Sequence, residues 1–250
     1  MKYIVFDLDD TLLGANAEVS DYTLGVLNRL RADGHAIVVN TARSRLFGKE
    51  IIERISPDYS ILNGGATILD SSGTAIYENH ISPDTLKTLI PELLATCRGI
   101  FVQTVGASLA NNPSHMRPDL VLYDFSEPVT VSAEKIIIAG GETDIIEDIT
   151  RRYDLTLTSY FSGDYKRLNA KGVTKESGMQ KLVEITGGKI EDTVAFGDDH
   201  GDMGMILAAG VGVIMKNAKD ELKGQAPYVT DHTNTDDGVA RYLEKIFFKK

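Results

Sequence analysis

The chain has 250 residues, of which 42% are hydrophobic, and a formal net charge of −10 at pH 7. A chain of this length can bury a substantial core in one large domain or two smaller ones. The acidic balance excludes nucleic acid and anionic membranes as expected partners, because both select basic surfaces.

The first twelve residues join a strand to a group of carboxylates. Residues 3–6 are apolar, and the short segment 3–8 shows no regular alternation of polar and apolar residues, which is typical of a strand buried on both faces of a parallel sheet. In an extended chain, Asp7 and Asp9 would point the same way, roughly 6 to 7 Å apart at Cα. Such a pair needs a cation or a shared proton beside an apolar core. The alternative is that both residues only end a strand and open a solvated turn.

Paired carboxylates are hard oxygen ligands, and Mg²⁺ takes one or two of them together with water and substrate phosphate. A carboxylate can also be a nucleophile that forms an aspartyl phosphate, while a neighbour donates and later accepts a proton. The opening residues therefore favour phosphoryl chemistry.

Helices and strands alternate after the acidic pair. Ser20 is predicted to cap a helix, strands are predicted at 35–40 and 59–62, and a second helix at 47–55. This alternation predicts a doubly wound α/β fold with right-handed crossovers. Residues 68–77 predict a small hairpin.

The alternation is lost from Ser82 and resumes near residue 170, which predicts a core of residues 1–81 and 170–250 split by an α+β insert of residues 82–169. Predicted elements of the insert are a helix at 83–98 interrupted by Pro91, strands at 100–105, 108–110 and 134–139, a helix at 142–153, and strands at 155–159 and 165–169. The core resumes with a helix at 174–186 and strands at 194–196 and 211–214.

Polar residues follow four predicted core strands, and parallel strands present their carboxyl ends at one edge of a sheet. The residues expected to meet there are Asp7, Asp9, Thr41, Asn63, Asp198 and Asp202. The predicted metal ligands are Asp7, Asp9, Asp198 and Asp202, and a backbone carbonyl near Asp9 can complete the set. Asp198 is favoured over Asp202 as a direct ligand, since Asp202 has the alternative role of a helix cap.

A phosphate group also needs hydrogen-bond donors and positive charge. Thr41 supplies a hydroxyl, although capping the next helix is an equal alternative. Lys175, near a helix start, can offset phosphate charge and competes with Lys166 and Lys171 on position alone. Arg43 can touch substrate or form an ion pair with an acidic residue.

Four motifs resemble those of the haloacid dehalogenase superfamily of phosphohydrolases. They are Asp7-Leu8-Asp9-Asp10-Thr11-Leu12, Asn40-Thr41-Ala42-Arg43, Gly172-Val173-Thr174-Lys175 and Gly197-Asp198-Asp199-His200-Gly201-Asp202. Further similarity to the Cof-like sugar phosphatase branch is carried by Asn63-Gly64, Met215-Lys216-Asn217-Ala218, Val229-Thr230 and Asp237-Gly238-Val239-Ala240. The chain departs from the family pattern at Ala42, where Gly is usual, and at Gly201, where Asn is usual.

The resemblance implies a Mg²⁺-dependent phosphatase that hydrolyses phosphate monoesters of small metabolites, such as sugar phosphates, with residues 82–169 as a cap. The implied roles are Asp7 as nucleophile, Asp9 as acid and base, Thr41 as phosphate ligand, Lys175 as charge stabiliser, Asp198 as metal ligand and Asp202 as its support. Substrate contacts are expected from Thr41, Arg43, Asn63, Gly64 and Lys175.

Two other functions fit the same residues: a phosphotransferase such as a phosphomutase, and a non-catalytic module that senses a phosphorylated metabolite. Specificity is expected from the cap, where the candidates are His115, Arg117, Tyr123, Tyr165 and Arg167, each with an ordinary surface or core role as its alternative.

The single Cys97 excludes an internal disulfide and a cysteine metal cluster. No signal-peptide pattern and no apolar stretch of membrane-spanning length are apparent, so we expect a cytoplasmic protein with no membrane partner. The sequence does not indicate an oligomeric state.

Overall fold

The structure, a computed structural model, describes residues 1–112, 120–159 and 164–248. The chain divides into two compact units. The first unit comprises Met1–Arg43, Gly48–Ile76 and Thr174–Lys250, and the second comprises Ser44–Phe47 and Tyr77–Val173. The insert predicted at residues 82–169 lies within the long segment of the second unit.

The strands are β1 Tyr3–Phe6, β2 Ala36–Asn40, β3 Tyr59–Leu62, β4 Thr67–Asp70, β5 Ala75–Glu78, β6 Gly99–Thr104, β7 Ser108–Ala110, β8 Leu120–Leu122, β9 Ala133–Ala139, β10 Leu155–Ser159, β11 Tyr165–Ala170, β12 Thr193–Gly197, β13 Val211–Ile214 and β14 Tyr228–Val229. The helices are α1 Asp21–Ala32, α2 Arg45–Ile55, α3 Pro83–Thr96, α4 Thr143–Arg152, α5 Lys175–Ile185, α6 His200–Ala208, α7 Asp220–Lys223 and α8 Gly238–Phe247. In the described parts of the chain, no helix is long and apolar enough to cross a membrane.

The sheet of the first unit has the strand order β14-β13-β12-β1-β2-β3-β4-β5. Neighbouring strands from β14 to β3 pair in parallel, and β4 returns antiparallel to β3. The predicted doubly wound α/β fold is confirmed. Because β1, β2, β3 and β12 run the same way, their carboxyl ends lie at one edge of this sheet.

Strand alternation decides which side chains of the first unit reach its apolar core. Phe6 lies in register with Val39 of β2 and Phe196 of β12, and all three join a buried cluster with residues of α1 and α8. Asp7, one residue further, points to the opposite face of the sheet. That face carries α5, since the Tyr3 hydroxyl lies 2.7 Å from the hydroxyl of Thr186, the residue after α5.

The prediction that Asp7 and Asp9 project from one extended strand is wrong. The strand ends at Phe6, and Leu8–Leu12 forms an irregular helical turn in which Asp10 has a φ of 54°. The turn buries Leu8 together with the adjacent pair Leu12 and Leu13 in one core cluster. An extended chain would send Leu12 and Leu13 to opposite faces.

The second unit is α+β, as expected of the insert. Its sheet has the order β10-β11-β9-β6-β7-β8, with α3 against β6 and β9 and α4 against β10. The predicted interruption at Pro91 is wrong, since α3 runs through this residue. Proline removes one backbone hydrogen bond from the helix. Burial of Leu86, Leu89, Ile90 and Leu93 on both sides of Pro91 outweighs that loss.

Two helical glycines of the first unit offer a matched test of packing. A Cβ on Gly178 in α5 would lie 2.7 Å from Cγ2 of Ile61 and 2.9 Å from Cα of Gly65, whereas a Cβ on Gly25 in α1 would meet nothing within 4 Å. We expect Gly178→Ala to lower the free energy of unfolding by about 1–2 kcal/mol, because overpacking exceeds the gain in helix propensity. Gly25→Ala should raise it by about 0.5–1 kcal/mol. Urea titrations compare them, and equal effects of the two substitutions would contradict the close approach of α5 to β3.

Candidate active site

Three carboxylates meet at the edge of the first sheet. Asp7, Asp198 and Asp202 each place an oxygen within 4.8 Å of the others. Asp7 follows β1, Asp198 follows β12, and Asp202 lies in the first turn of α6. An added Cβ on Gly197 would lie 2.3 Å from Cβ of Asp202, so a glycine at the end of β12 is what lets Asp202 lie there.

Lys175 joins two of these carboxylates. Its Nζ lies 2.8 Å from Oδ1 of Asp7 and 2.6 Å from Oδ1 of Asp202, and its side chain is only 6% exposed. Lys175 is the first residue of α5, which begins with a capping box between Thr174 and Ser177. The competing Lys171 forms an exposed ion pair with an aspartate of the second unit.

Burial and like charge raise the pKa values of the three carboxyl groups. Burial raises the pKa of Asp7 well above its usual value, and the Lys175 ammonium only partly opposes this. Burial and the Asp202 carboxylate raise the pKa of Asp198 to about 7. Burial also raises the pKa of Asp202, against the effect of Lys175. Burial lowers the pKa of Lys175, but Asp202 and Asp7 outweigh it and raise that pKa above its usual value.

This cluster suits a divalent cation. Three ionised carboxylates and one ammonium carry a formal charge of −2, which a single divalent ion balances. All the acidic ligands offer oxygen, which hard cations such as Mg²⁺ prefer. Burial is the main cause of the raised pKa values of the carboxyl groups, and the neighbouring carboxylates add to it, so a bound cation would favour their ionised forms. The residues present therefore fit a divalent metal.

Asp198 and Asp202 are held differently. The Thr11 hydroxyl donates to Oδ1 of Asp198 at 2.7 Å. Oδ2 of Asp202 accepts from the backbone amides of Asp198 and Asp199 at 3.1 and 3.2 Å, while its Oδ1 accepts from Lys175. Asp202 thus completes the capping box of α6, whose cap residue is Asp199, so the alternative role of Asp202 in capping is met in part. Since both of its oxygens are engaged, this arrangement favours Asp198 as the direct metal ligand, which stays a prediction.

The Asp9 carboxylate lies outside the cluster. Its two oxygens accept from Nη2 and Nε of Arg43 at 2.5 and 3.0 Å. The Asp9 side chain is 56% exposed, in contrast to the buried Asp7. The structure therefore realises the ion-pair alternative for Arg43. It leaves the backbone near Asp9, rather than its side chain, as the predicted metal contact.

Thr41 lies buried at the end of β2. Its hydroxyl accepts from the backbone amide of Arg43 at 3.2 Å, while Ser44 accepts from the amide of Phe47 in the first turn of α2. The alternative role of Thr41 as the cap of α2 is thus wrong, because Ser44 is the cap. The Gly64 amide donates to the Thr41 carbonyl at 2.9 Å, so this amide is already engaged within the protein.

Asn63 joins the end of β3 to the segment after β2 through its backbone. Its amide donates to the Arg43 carbonyl at 3.0 Å, and its φ of 53° turns the chain sharply after β3. The predicted substrate contacts of Arg43, Asn63 and Gly64 therefore lie on two adjacent strand ends, and their contact with substrate stays a prediction.

Two asparagines to which the sequence gave no role hold the turn after Asp7, although Asn217 is part of a motif that resembles the Cof-like branch. Asn217 donates to the Asp10 carbonyl and Asn234 donates to the Leu13 carbonyl, each at 2.8 Å. The Asn234 amide donates to the Asn217 side chain at 3.0 Å, which links the two. Asn217 follows β13, so the expectation that functional residues lie after the carboxyl ends of parallel strands could have pointed to it. Asn234 carries no comparable signal.

The predicted specificity residues belong to the second unit or lie outside the described residues. His115 and Arg117 lie outside them. The Tyr123 hydroxyl donates to a backbone carbonyl four residues along at 3.0 Å. Tyr165 begins β11, and Arg167 of the same strand is buried and donates to a threonine hydroxyl of β10 at 3.4 Å. Their contact with substrate stays a prediction.

A family model for haloacid dehalogenase-like hydrolases matches residues 4–243. The chain therefore belongs to this family, and the resemblance stated from its motifs is confirmed.

Curated relatives match along the full chain. A 5-amino-6-(5-phospho-D-ribitylamino)uracil phosphatase of Bacillus subtilis, YcsE, is 25% identical over 251 residues, which cover 97% of this chain and 94% of the relative. A second phosphatase of that name from the same organism, YitU, is 27% identical and covers 98% and 97%. A haloacid dehalogenase-like hydrolase from B. subtilis has a similar structure, with a TM-score of 0.81 at 25% identity and coverage of 99% and 100%. The family and its phosphatase relatives confirm the predicted enzyme class, a phosphoric monoester hydrolase.

Proposed function

We propose that this protein hydrolyses phosphate monoesters of small metabolites with Mg²⁺ and forms an aspartyl phosphate on Asp7. The observation that carries the proposal is the buried Lys175 ammonium, 2.8 Å from the Asp7 carboxylate and beside a cluster of carboxylates that suits a divalent cation. The two B. subtilis relatives are named for a substrate with a phosphorylated ribityl chain. A phosphorylated sugar or polyol is accordingly the proposed substrate class.

Four residues of the site carry out this reaction. An Asp7 oxygen attacks phosphorus as the bond from phosphorus to the alcohol oxygen breaks, and Asp9 gives its proton to that oxygen. Asp9 then takes a proton from water, whose oxygen attacks the same phosphorus and releases phosphate and the Asp7 carboxylate. Lys175 holds Asp7 in place and offsets negative charge on the phosphoryl oxygens, and Thr41 contributes a hydroxyl to them.

Asp7 and Asp198 are the residues proposed to hold Mg²⁺, together with a backbone carbonyl near Asp9 and with Asp202 in support. When bound, the ion supplies positive charge that offsets the charge of the carboxylates and the phosphate. Asp9 must leave Arg43 before it can donate a proton, since both of its oxygens accept from the guanidinium. We propose that the arriving phosphate, which also pairs with guanidinium groups, draws Arg43 away from Asp9.

A panel of phosphate monoesters tests this function. We expect release of inorganic phosphate with Mg²⁺, a loss of at least about 100-fold after EDTA treatment, and recovery when Mg²⁺ is added back. Full activity in EDTA would contradict the metal requirement. Conversion of a sugar phosphate to an isomer without phosphate release would instead identify the phosphomutase alternative. Tight binding of esters with no turnover would identify a sensing module.

Asp9→Asn tests the proton transfer separately. We expect kcat to fall by about 10²–10⁴-fold for sugar phosphates, whose alkoxides leave poorly without a proton. The loss should be much smaller for 4-nitrophenyl phosphate, whose phenolate leaves readily. Steady-state assays on the two substrate types measure this difference, with Arg43→Lys as the control that keeps the charge beside an intact Asp9. An equal loss on both substrates would exclude the acid role.

Cytoplasm remains the expected location of the protein. The second unit is proposed to act as the cap that selects the substrate. Substitution of the predicted specificity residues of the second unit, beginning with Arg167, tests directly whether this unit selects the substrate.

A further inference from the structure

Asn40 is a completely buried polar residue to which no task has been assigned. It ends β2, directly before Thr41, and its side chain is 0% exposed. Strand alternation turns it to the same face of the sheet as Asp7. There its Nδ2 donates to the backbone carbonyl of Lys175 at 2.8 Å and lies 3.3 Å from Sδ of Met205.

These two contacts reach both helices that form the buried ion pair. Lys175 is the first residue of α5, and Met205 lies three residues after Asp202 on α6, so it is on the same side of that helix. The carbonyl that accepts from Asn40 belongs to the very residue whose ammonium contacts Asp7 and Asp202. Asn40 therefore holds the backbone from which the Lys175 side chain extends.

A purely structural role does not explain an asparagine at this buried position, because its side chain destabilises the folded state. The Oδ1 of Asn40 has no hydrogen-bond partner among the residues that the structure describes. A buried polar atom without a partner destabilises the folded state, so an apolar side chain of similar volume would serve packing better. An amide at this position is explained if the α5 backbone has to be held at a fixed distance from β2.

We propose that Asn40 is a positioning residue that fixes the first turn of α5 and thereby sets the reach of the Lys175 ammonium to Asp7. The expected effect of Asn40 on kcat rests on the proposed function. Its expected effect on the position of the Lys175 ammonium rests on the geometry alone. Its effect on the reaction acts through Lys175, and Asn40 itself touches neither substrate nor reacting atoms.

Asn40→Leu removes the donor and keeps most of the volume, and Asn40→Ala is the second variant should the first fold poorly. We expect kcat to fall about 10–100-fold with KM changed less than about threefold, because the transition state loses more than substrate binding does. Met205→Leu, which removes only the sulfur contact, is the matched control and should keep kcat within about twofold. A rise in KM with unchanged kcat would overturn the proposal.

A double-mutant cycle separates positioning from general damage. In a Lys175→Met background, Asn40→Leu should lower kcat by less than about twofold, since the group that it positions is gone. The same 10–100-fold loss in both backgrounds would overturn the proposal, because the effect of Asn40 would then not act through Lys175.

The geometric consequence needs no activity. In a crystal structure of Asn40→Leu, the distance from Nζ of Lys175 to Oδ1 of Asp7 should exceed the 2.8 Å seen here. An unchanged distance would overturn the proposal. Absence of phosphatase activity in the unaltered protein would refute the proposed function instead, and this distance would still decide the role of Asn40.

Discussion

Asp7→Asn should abolish turnover of phosphate monoesters, with kcat reduced by about 10⁴-fold or more. The amide has no carboxylate oxygen with which to form the aspartyl phosphate, and it is nearly isosteric, so the buried site keeps its shape. The measurement is phosphate release at saturating ester and Mg²⁺, together with rapid quenching and mass analysis for a phosphorylated protein. The unaltered protein should show the added phosphoryl group and Asp7→Asn should not.

Asp10→Asn is the matched control for that substitution. Asp10 lies three residues away, is exposed and has a φ of 54°, a conformation that asparagine adopts readily. Its carboxylate belongs to none of the contacts of the acidic cluster, so activity should stay within about twofold. Comparable losses in the two variants would contradict the assignment of Asp7 as nucleophile, as would substantial Mg²⁺-dependent activity of Asp7→Asn in a clean preparation.

Lys175→Met should impair both stability and catalysis. Removing the ammonium leaves Asp7 and Asp202 as buried carboxylates without their shared partner, and breaking a buried pair in this way costs about 3–5 kcal/mol. We expect that loss in EDTA, and a partial recovery with Mg²⁺, which supplies positive charge to the same cluster. Chemical denaturation in the two conditions measures the difference. The fall in kcat should be at least about 10²-fold.

Lys171→Met provides the comparison for Lys175. Its ammonium forms an exposed ion pair at 3.0 Å, and pairs of this kind contribute at most about 1 kcal/mol. Stability and kcat should therefore change little, with or without Mg²⁺. If Lys175→Met proved as stable as Lys171→Met in EDTA, the buried ion pair would not be the organising contact of the site.

Much of the fold could be predicted because its signals are local. The strands β3, β7, β10 and β13 have the predicted bounds, and α1 begins after its predicted cap, Ser20. Runs of apolar residues and capping side chains act within a few neighbours, so they are legible in the sequence. The final helix α8 was not anticipated, although it buries Val239, Ala240 and Leu243. Its partner α1 lies about 200 residues earlier in the chain.

The errors arise where distant packing overrides a local rule. Pro91 does not end α3, because apolar residues on both of its sides are buried. The strand through Asp7 does not continue to Asp9, because a turn buries the adjacent Leu12 and Leu13 in one core cluster, which an extended chain does not do. In both cases the deciding contacts join residues that no short sequence window contains.

The amino-acid sequence by itself determined the fold class and the chemical type of the site, since strand-helix alternation places Asp7, Thr41 and Asp198 at the carboxyl ends of parallel strands. Only the tertiary structure decided how the charges pair: Lys175 with Asp7 and Asp202, and Arg43 with Asp9. The physical reason is that Coulomb interactions and desolvation depend on separations of a few ångströms and on burial. Spacing along the chain determines neither of these, so the pairs become visible only once the strands, turns and helices are packed together.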